Sequence, residues 1–348
     1  MRLLATGDFH LRRGDKSGLE VLQEAASVAA GEDALLVIAG DLFDSPQDAE
    51  TLMPEVEALF KEFPSIRGVI VAGENDEQFW RDASPPPGFL LLKNFEPVHV
   101  GRLVVCGCGP LREGLGGLMK VETKPDLVVI HGTLFLREKP ELFMEVAERG
   151  GEILPIWGEE VADSGVSVVV AGHLHQNLWV GRVGRTTVVY PATPRVVGDE
   201  KGKRFFVWLE KENDELKVAK RRVQSAEYRE LLDVWMAPGT EWNDLTRLRR
   251  ALEAAADPAA HAHVVIRGEA GMAEEEIAEI VEGIREEFEP RFASLTIEQK
   301  LGCWRRLLDE LPIAREFVRL LLESGRSSEE RAIAARLAFK AFLAAKAR

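Results

Sequence analysis

Four short polar motifs each close an apolar run: Asp8-Phe9-His10, Gly40-Asp41, Val129-Ile130-His131-Gly132 and Gly172-His173-Leu174-His175. The runs before them, at 2–6, 34–39, 127–130 and 166–171, show almost no polar alternation. Strands that read this way are buried on both faces, as in α/β layers. Similar runs recur at 68–72, 103–108, 186–190 and 204–209, while 18–30 and 49–63 carry apolar residues at helical spacing. In such folds the loops at the C-terminal strand ends converge. The shared position of the motifs therefore predicts that two Asp and four His meet in space. Of the seven His, the other three (His99, His261 and His263) have no such setting.

Asp8 and His10, and again His173 and His175, are two residues apart. Along an extended chain that spacing puts both side chains on one side. Gly40 lets the backbone come close to its surroundings before Asp41, and a carboxylate such as Asp41 can bridge two cations. Carboxylate and imidazole ligands without thiolates suit two divalent ions, with Mn²⁺ expected and Fe²⁺ or Zn²⁺ as alternatives. Such a pair makes a phosphoester-cleaving device, because it acidifies a water and neutralises the phosphate oxygens.

The 348 residues allow two or three domains, and 46% hydrophobic with 29% charged is ordinary globular composition. No apolar run reaches the roughly 18 residues of a membrane span, and residues 1–8 leave no room for a signal peptide. A cytoplasmic protein without a membrane association is expected. Among the three Cys, Cys106 and Cys108 read as small apolar residues of a buried strand rather than as metal ligands. The net charge of −14 argues against a broad basic DNA-binding face. Two bound dications would nonetheless supply positive charge where a phosphate sits. Residues 295–348 run against the trend, with 11 Lys+Arg and 7 Asp+Glu.

Three segments follow: 1–225 with the motifs, a small α+β unit at 226–298, and a helical segment at 299–348. Within the first, 81–99 reads as a surface loop around Ser84-Pro85-Pro86-Pro87-Gly88. The insert 134–160 is either a wall of the substrate groove or a surface helix. The α+β unit shows helical spacing at 241–256 and 273–288 and strand-like runs at 261–266 and 292–297. Helical spacing returns at 298–310 and 315–322, and after a break at 324–328 a last helix covers 328–346, capped by Ser327 or Ser328. These basic helices read as a packed pair or as a docking site for a partner helix.

The motifs resemble those of the calcineurin-like metallophosphoesterase family: Asp-x-His, Gly-Asp, Gly-Asn-His-Asp, a His, then Gly-His-x-His. The likeness covers roughly residues 1–210. Tyr190-Pro191-Ala192-Thr193-Pro194-Arg195 and Glu200-Lys201-Gly202 make the SbcD nuclease branch the most similar. The resemblance implies a four-layer α/β/β/α sandwich with a small α+β cap and a C-terminal helical segment. It implies that Asp8, His10, Asp41 and His175 surround one metal, and Asp41, Glu74, His131 and His173 the other. It further implies DNA ends as substrate, Arg195 on that substrate, an SbcC-like SMC-family ATPase docked on the C-terminal helices, and a homodimer.

One departure stands out. Where the family has Gly-Asn-His-Asp, this chain has Gly73-Glu74-Asn75-Asp76. Glu74 takes the place of the ligand Asn and adds a negative charge. Asn75 takes the place of the His and would orient the scissile phosphate, with Asp76 beside it as a second catalytic residue. An amide cannot act as a general acid. The sequence therefore leaves three functions open. The chain could be an Mn²⁺-dependent DNA nuclease working with an SbcC-like ATPase, a phosphodiesterase of small nucleotides, or a scaffold of that ATPase with weakened catalysis.

Overall fold

A computed structural model describes residues 1–176, 178–212, 215–236, 240–303, 310–326, 330, 333–335, 337–338 and 341–342. The chain divides into two compact units, Met1–Ala226 and Glu227–Arg348.

The first unit runs β1 (Arg2–Thr6), α1 (Lys16–Gly31), β2 (Leu35–Ala39), α2 (Pro46–Lys61), β3 (Arg67–Val71), α3 (Glu77–Trp80), β4 (Phe89–Leu91), β5 (Val98–Val100), β6 (Leu103–Cys108) and β7 (Leu127–His131). It continues with β8 (Thr133–Phe135), α4 (Pro140–Glu148), β9 (Pro155–Trp157), α5 (Gly158–Asp163), β10 (Val168–Gly172), β11 (Trp179–Val183), β12 (Thr186–Tyr190), β13 (Phe205–Glu212) and β14 (Glu215–Arg222). Two six-stranded sheets form, ordered β14-β13-β1-β2-β3-β4 and β11-β12-β10-β7-β6-β5. Their central strands are parallel, and antiparallel β13, β14, β11 and β5 finish the edges.

Side-chain alternation shows why the layers number four. Leu3 and Ala5 of β1 and Leu35, Val37 and Ala39 of β2 share one core with Val129 of β7 and Val168 and Val170 of β10. That core lies between the sheets. Leu4, Leu36, Ile38 and Ile70 point the other way, onto Val21 and Leu22 of α1 and Leu52 and Val56 of α2. On the second sheet, Val128, Ile130 and Val169 face outward onto Leu142 and Val146 of α4 and Val161 of α5. Both faces of each central strand are thus covered by apolar residues, which is why their sequences lack alternation. The α/β/β/α sandwich expected from the sequence is the fold of this unit.

Several local expectations change. Residues 81–99 contain the edge strand β4 and the first two residues of the edge strand β5, each strand three residues long and too short to show a period. Strand β14 went unread because its sequence, ELKVAKRR, is charged; only pairing with β13 makes it a strand, and charge is common on an edge that must not recruit another chain. Cys106 is buried in the outer core, where desolvation pushes its thiol up to about 12.

In the second unit, β15 (Tyr228–Met236), β16 (Asp257–Ala270) and β17 (Phe292–Cys303) form a parallel three-stranded sheet, with α6 (Glu241–Ala255) and α7 (Glu274–Phe288) between the strands. Helix α8 (Pro312–Glu323) follows. The helical reading of 298–310 is corrected for its first part. Residues up to Cys303 continue β17, because each pairs in register with β16 as far as Ala270↔Cys303. The rest, 304–309, lies outside the described residues, as do Ser327 and Ser328 and much of 328–346. Phe342 meets Phe317 of α8 edge-on at 5.8 Å.

The two sheets approach most closely at Gly172, where a Cβ would come within 1.8 Å of the Ala39 carbonyl oxygen and 2.8 Å of His131 Nδ1. We expect Gly172→Ala to destabilise the first unit by about 1–3 kcal/mol or more, read as a lowered melting temperature in calorimetry. A melting curve unchanged from wild type would contradict this packing.

Candidate metal centre

The six predicted motif ligands all stand at the C-terminal ends of parallel strands. Asp8 and His10 follow β1, Asp41 follows β2, His131 ends β7, and His173 and His175 follow β10. Glu74 follows β3 in the same row. The approach is not an extended one, as the spacing of Asp8 and His10 suggested. Asp8 (φ 53°), His10 (φ 47°), Asp41 (φ 45°) and His173 (φ 94°) all hold left-handed backbone. That conformation is uncommon for residues with a Cβ and is tolerated where the surroundings over-determine it. Gly40, at φ 94°, lies so close to His131 that a Cβ would fall 2.0 Å from its Nδ1.

Three groups of side chains bring their donor atoms within 4.8 Å of one another: Asp8 with His10 and His175, Glu74 with His131 and His173, and Asp8 with Asp41 and His131. The last group joins the other two. Asp41 Oδ2 lies 3.6 Å from His10 Nε2 and 3.7 Å from His131 Nε2, between the two positions. Of these residues only Glu74 is more than slightly accessible, with its side chain 16% exposed.

The hydrogen bonds fix which nitrogens face inward. His10 Nδ1 is 3.1 Å from Asp44, and His175 Nδ1 is 3.2 Å from Glu200. If each Nδ1–H donates to its carboxylate, both Nε2 lone pairs face each other at 3.1 Å. Two acceptors at that distance repel unless a cation lies between them. The second position repeats the pattern. His131 Nδ1 donates to Ala39 O at 2.8 Å and His173 Nε2 to Glu152 O at 2.8 Å. The remaining nitrogens meet the Glu74 carboxylate at 2.6 and 3.0 Å. This donor set fits two divalent cations, and carboxylates behind the ligand imidazoles raise their basicity.

The electrostatics carry the same strain. Burial lifts Asp8 to about 7 against the pull of His131, with Asp41 adding to the rise. Asp41 is lifted to about 6 by burial, again against His131 and with help from Glu74. His131 would be pushed down by burial, but Glu74 and Asp41 outweigh this and hold it well above the ordinary value. Burial pushes His175 down to about 3. Asp44 falls to about 2, because His10 and Arg12 outweigh the effect of burial.

Three other sequence expectations find different surroundings. Asn75 turns onto Asp41: its N–H and side-chain amide donate to the two Asp41 oxygens at 3.0 and 2.6 Å. Asp76 is fully buried and accepts the N–H groups of Gly73 and Phe43, at 2.8 and 3.2 Å, so it braces two ligand loops rather than touching a reacting group. Arg195 is also committed inward. It donates to the carbonyls of Phe9 and His10, at 2.9 and 3.1 Å, and pairs with Asp15. With the guanidinium occupied this way, Arg195 positions His10 and is not placed as a substrate contact.

The sequence reading missed Asp44, Glu145 and Arg149. Glu145 Oε1 accepts the N–H of His175 and Gln176, at 2.6 and 2.8 Å, and Arg149 donates to His173 O at 2.6 Å. Both come from the insert between the third and fourth motifs, through α4 and the residue after it. That insert therefore braces the metal ligands. No local pattern marks these residues, since their partners are 24–34 positions away.

A family comparison places residues 1–177, half of the chain, in the calcineurin-like phosphoesterases, and the chain belongs to that family. It is by family a metallophosphoesterase, a metal-binding hydrolase. Among solved structures it is similar to a protein of Thermus thermophilus, TT1561, at 14% identity and TM-score 0.42, over 63% of this chain and 98% of that one. A predicted phosphoesterase of Streptococcus pneumoniae matches at 14% identity and TM-score 0.32, over 65% and 92%. Chaetomium thermophilum Vps29 matches at 13% and 0.33, over 64% and 97%. No curated protein matches the sequence.

Two expectations follow. Cations binding here displace protons. Asp8, raised to about 7, is mostly protonated at pH 6 and Asp41, raised to about 6, about half protonated, and both are largely deprotonated at pH 8. Titration calorimetry in buffers of different ionisation enthalpy should therefore show more protons released per Mn²⁺ at pH 6 than at pH 8. Equal release would contradict the burial of these carboxyls. Glu200→Ala, which removes the carboxylate behind His175, should weaken metal affinity roughly 10–100-fold, measured in the same way.

Proposed function

We propose that this chain is an Mn²⁺-dependent phosphodiesterase acting on DNA, as the nuclease subunit of an SbcC/SbcD-type end-processing complex. The observation that carries the hydrolytic part is the pair of facing donor groups joined by Asp41. Bound divalent cations would supply an acidified water and charge neutralisation at the phosphate oxygens. Asp8, His10, Asp41 and His175 would hold one, and Asp41, Glu74, His131 and His173 the other. The protein's own share is preorganisation. Asp44 and Glu200 fix the tautomers of His10 and His175, and Arg195, Glu145 and Arg149 hold the ligand loops by their backbones.

Support for the complex comes from the second unit. Ile313 and Leu320 of α8 are 68% and 52% exposed, and Ile333 and Leu337 beyond it are 47% and 65% exposed. The helices do pack on one another through Ala335, Val318 and Leu321, so these outward residues form a surplus apolar surface. Such a surface suits the coiled coil of an SMC-family ATPase. The proposal includes DNA ends as substrate, a homodimer and a cytoplasmic setting. No helix among the described residues is long and apolar enough to cross a membrane.

A specific observation favours slow chemistry. The Asn75 amide is bound to Asp41 and has no proton to give a leaving alkoxide, and Glu74 places an added negative charge between His131 and His173. The alternatives are therefore a scaffold subunit with weakened catalysis, or an enzyme for small nucleotide phosphodiesters.

The test is Mn²⁺-dependent degradation of an end-labelled linear duplex by the purified chain, beside His173→Ala. Degradation that vanishes in the variant is expected. Hydrolysis of bis(p-nitrophenyl) phosphate with no action on DNA, alone or with the ATPase, would favour a small substrate instead. Restoring the family pattern with Glu74→Asn and Asn75→His should raise the rate, by roughly 10²–10⁴-fold if leaving-group protonation is limiting. An unchanged rate would mean that another group supplies the proton.

A further inference from the structure

An open cleft of about 1200 Å³ lies beside the insert, lined by β8, β9, the start of α4 and the edge strand β11. Its floor is aromatic for a reason visible in the pairing. β8 and β9 are parallel, with Leu134↔Ile156 and Phe135↔Trp157 as neighbours. Leu134 and Ile156 turn into the outer core. Alternation then sends Phe135 and Trp157 to the other side, where their rings lie 4.9 Å apart. Phe143 of α4 adds a third ring, 5.0 Å from Phe135. The stack is not sealed, since Trp157 remains 49% exposed. An aromatic cluster with one ring open to solvent suits a binding surface.

Charge narrows the occupant. Arg137, Lys139 and Arg182 line the cleft together with Glu138 and Glu159. Lys139 is paired with Glu141 at 3.2 Å. Arg137, just after β8, and Arg182, on β11, have no ion-pair partner among the described residues. An aromatic cluster with one exposed ring and two half-buried ones, flanked by unpaired guanidinium groups, fits a chain that offers flat π-faces and phosphates in alternation. A peptide would need a reason for the cations, and a duplex keeps its bases stacked inside.

Helix α4 connects this cleft to the metal centre. Phe143 stands on its cleft side, and Glu145 on its other side holds the N–H of His175. The same helix thus borders the rings on one side and the ligand loops on the other.

We propose that this cleft is a stacking site for unpaired bases of the strand whose phosphate lies at the metal centre. The proposal rests on the DNA reading above, and it assigns Phe135, Phe143 and Trp157 to base stacking and Arg137 and Arg182 to the phosphates.

The test uses the full chain with Mn²⁺ and a labelled, nuclease-resistant phosphorothioate oligothymidylate, beside an abasic oligomer of the same backbone. Trp157→Ala should weaken binding of the oligothymidylate roughly 5–150-fold and leave the abasic oligomer unaffected. Trp157→Phe should retain most of the affinity, which excludes misfolding as the cause. Hydrolysis of bis(p-nitrophenyl) phosphate should be unchanged in both variants. Equal binding of the two oligomers, or oligothymidylate binding insensitive to Trp157→Ala and Phe135→Ala, would overturn the cleft assignment and leave the DNA reading standing. A chain that hydrolyses the small diester but binds neither oligomer would overturn both.

Discussion

The close approach of two parallel-cored sheets at their C-terminal edges is the constraint on which the rest of the first unit depends. Gly172 at the end of β10 lies against the Ala39 carbonyl at the end of β2, and that carbonyl accepts the His131 Nδ1–H. Loops from both sheets are thereby forced into one small volume. Seven ionisable side chains end up largely buried there, and burial of unpaired charge is expensive. Without cations the cluster balances itself by holding protons on Asp8, Asp41 and His131. With cations those protons leave, and the facing imidazole nitrogens gain something to point at. A site so arranged ties metal binding closely to the stability of its own unit.

Positions next to the ligands show how a family pattern is reused. Asn75, Asp76 and Arg195 sit where the sequence pointed to substrate or catalysis. Each is instead turned toward the protein: onto Asp41, onto the Gly73 and Phe43 amides, and onto the Phe9 and His10 carbonyls. Their hydrogen bonds tie together the loops that carry the candidate ligands. Preorganisation of this kind is what lets a metal site keep its geometry during turnover.

The insert between the third and fourth motifs serves two neighbours at once. Helix α4 presents Glu145 to the ligand loop and Phe143 to the aromatic cleft, and Arg149 just after it reaches His173 O. Helical periodicity alone explains why residues two apart face different ways. The second unit is built on another principle, a small parallel sheet with α6 and α7 as its crossovers. Its exposed apolar residues include Ile313 and Leu320 of α8, Leu231 of β15 and Trp242 of α6.

The sequence by itself determined the α/β class, the order of the central strands' motifs and which motif residues gather in the donor cluster. Those properties are local: a doubly buried strand must be apolar throughout, and a ligand must follow it directly. The sequence could not show that Asp8 and His10 converge through positive φ, since extended and left-handed backbone share one residue pattern. Nor could it show the edge strands β4, β5 and β14, which are strands only because a neighbour pairs with them. Asp44, Glu145, Arg149 and Glu200 gain their roles from partners up to 34 positions distant. Tertiary structure alone decided which nitrogen each His turns inward, because the hydrogen bond on the outer nitrogen is made by a residue from a different loop.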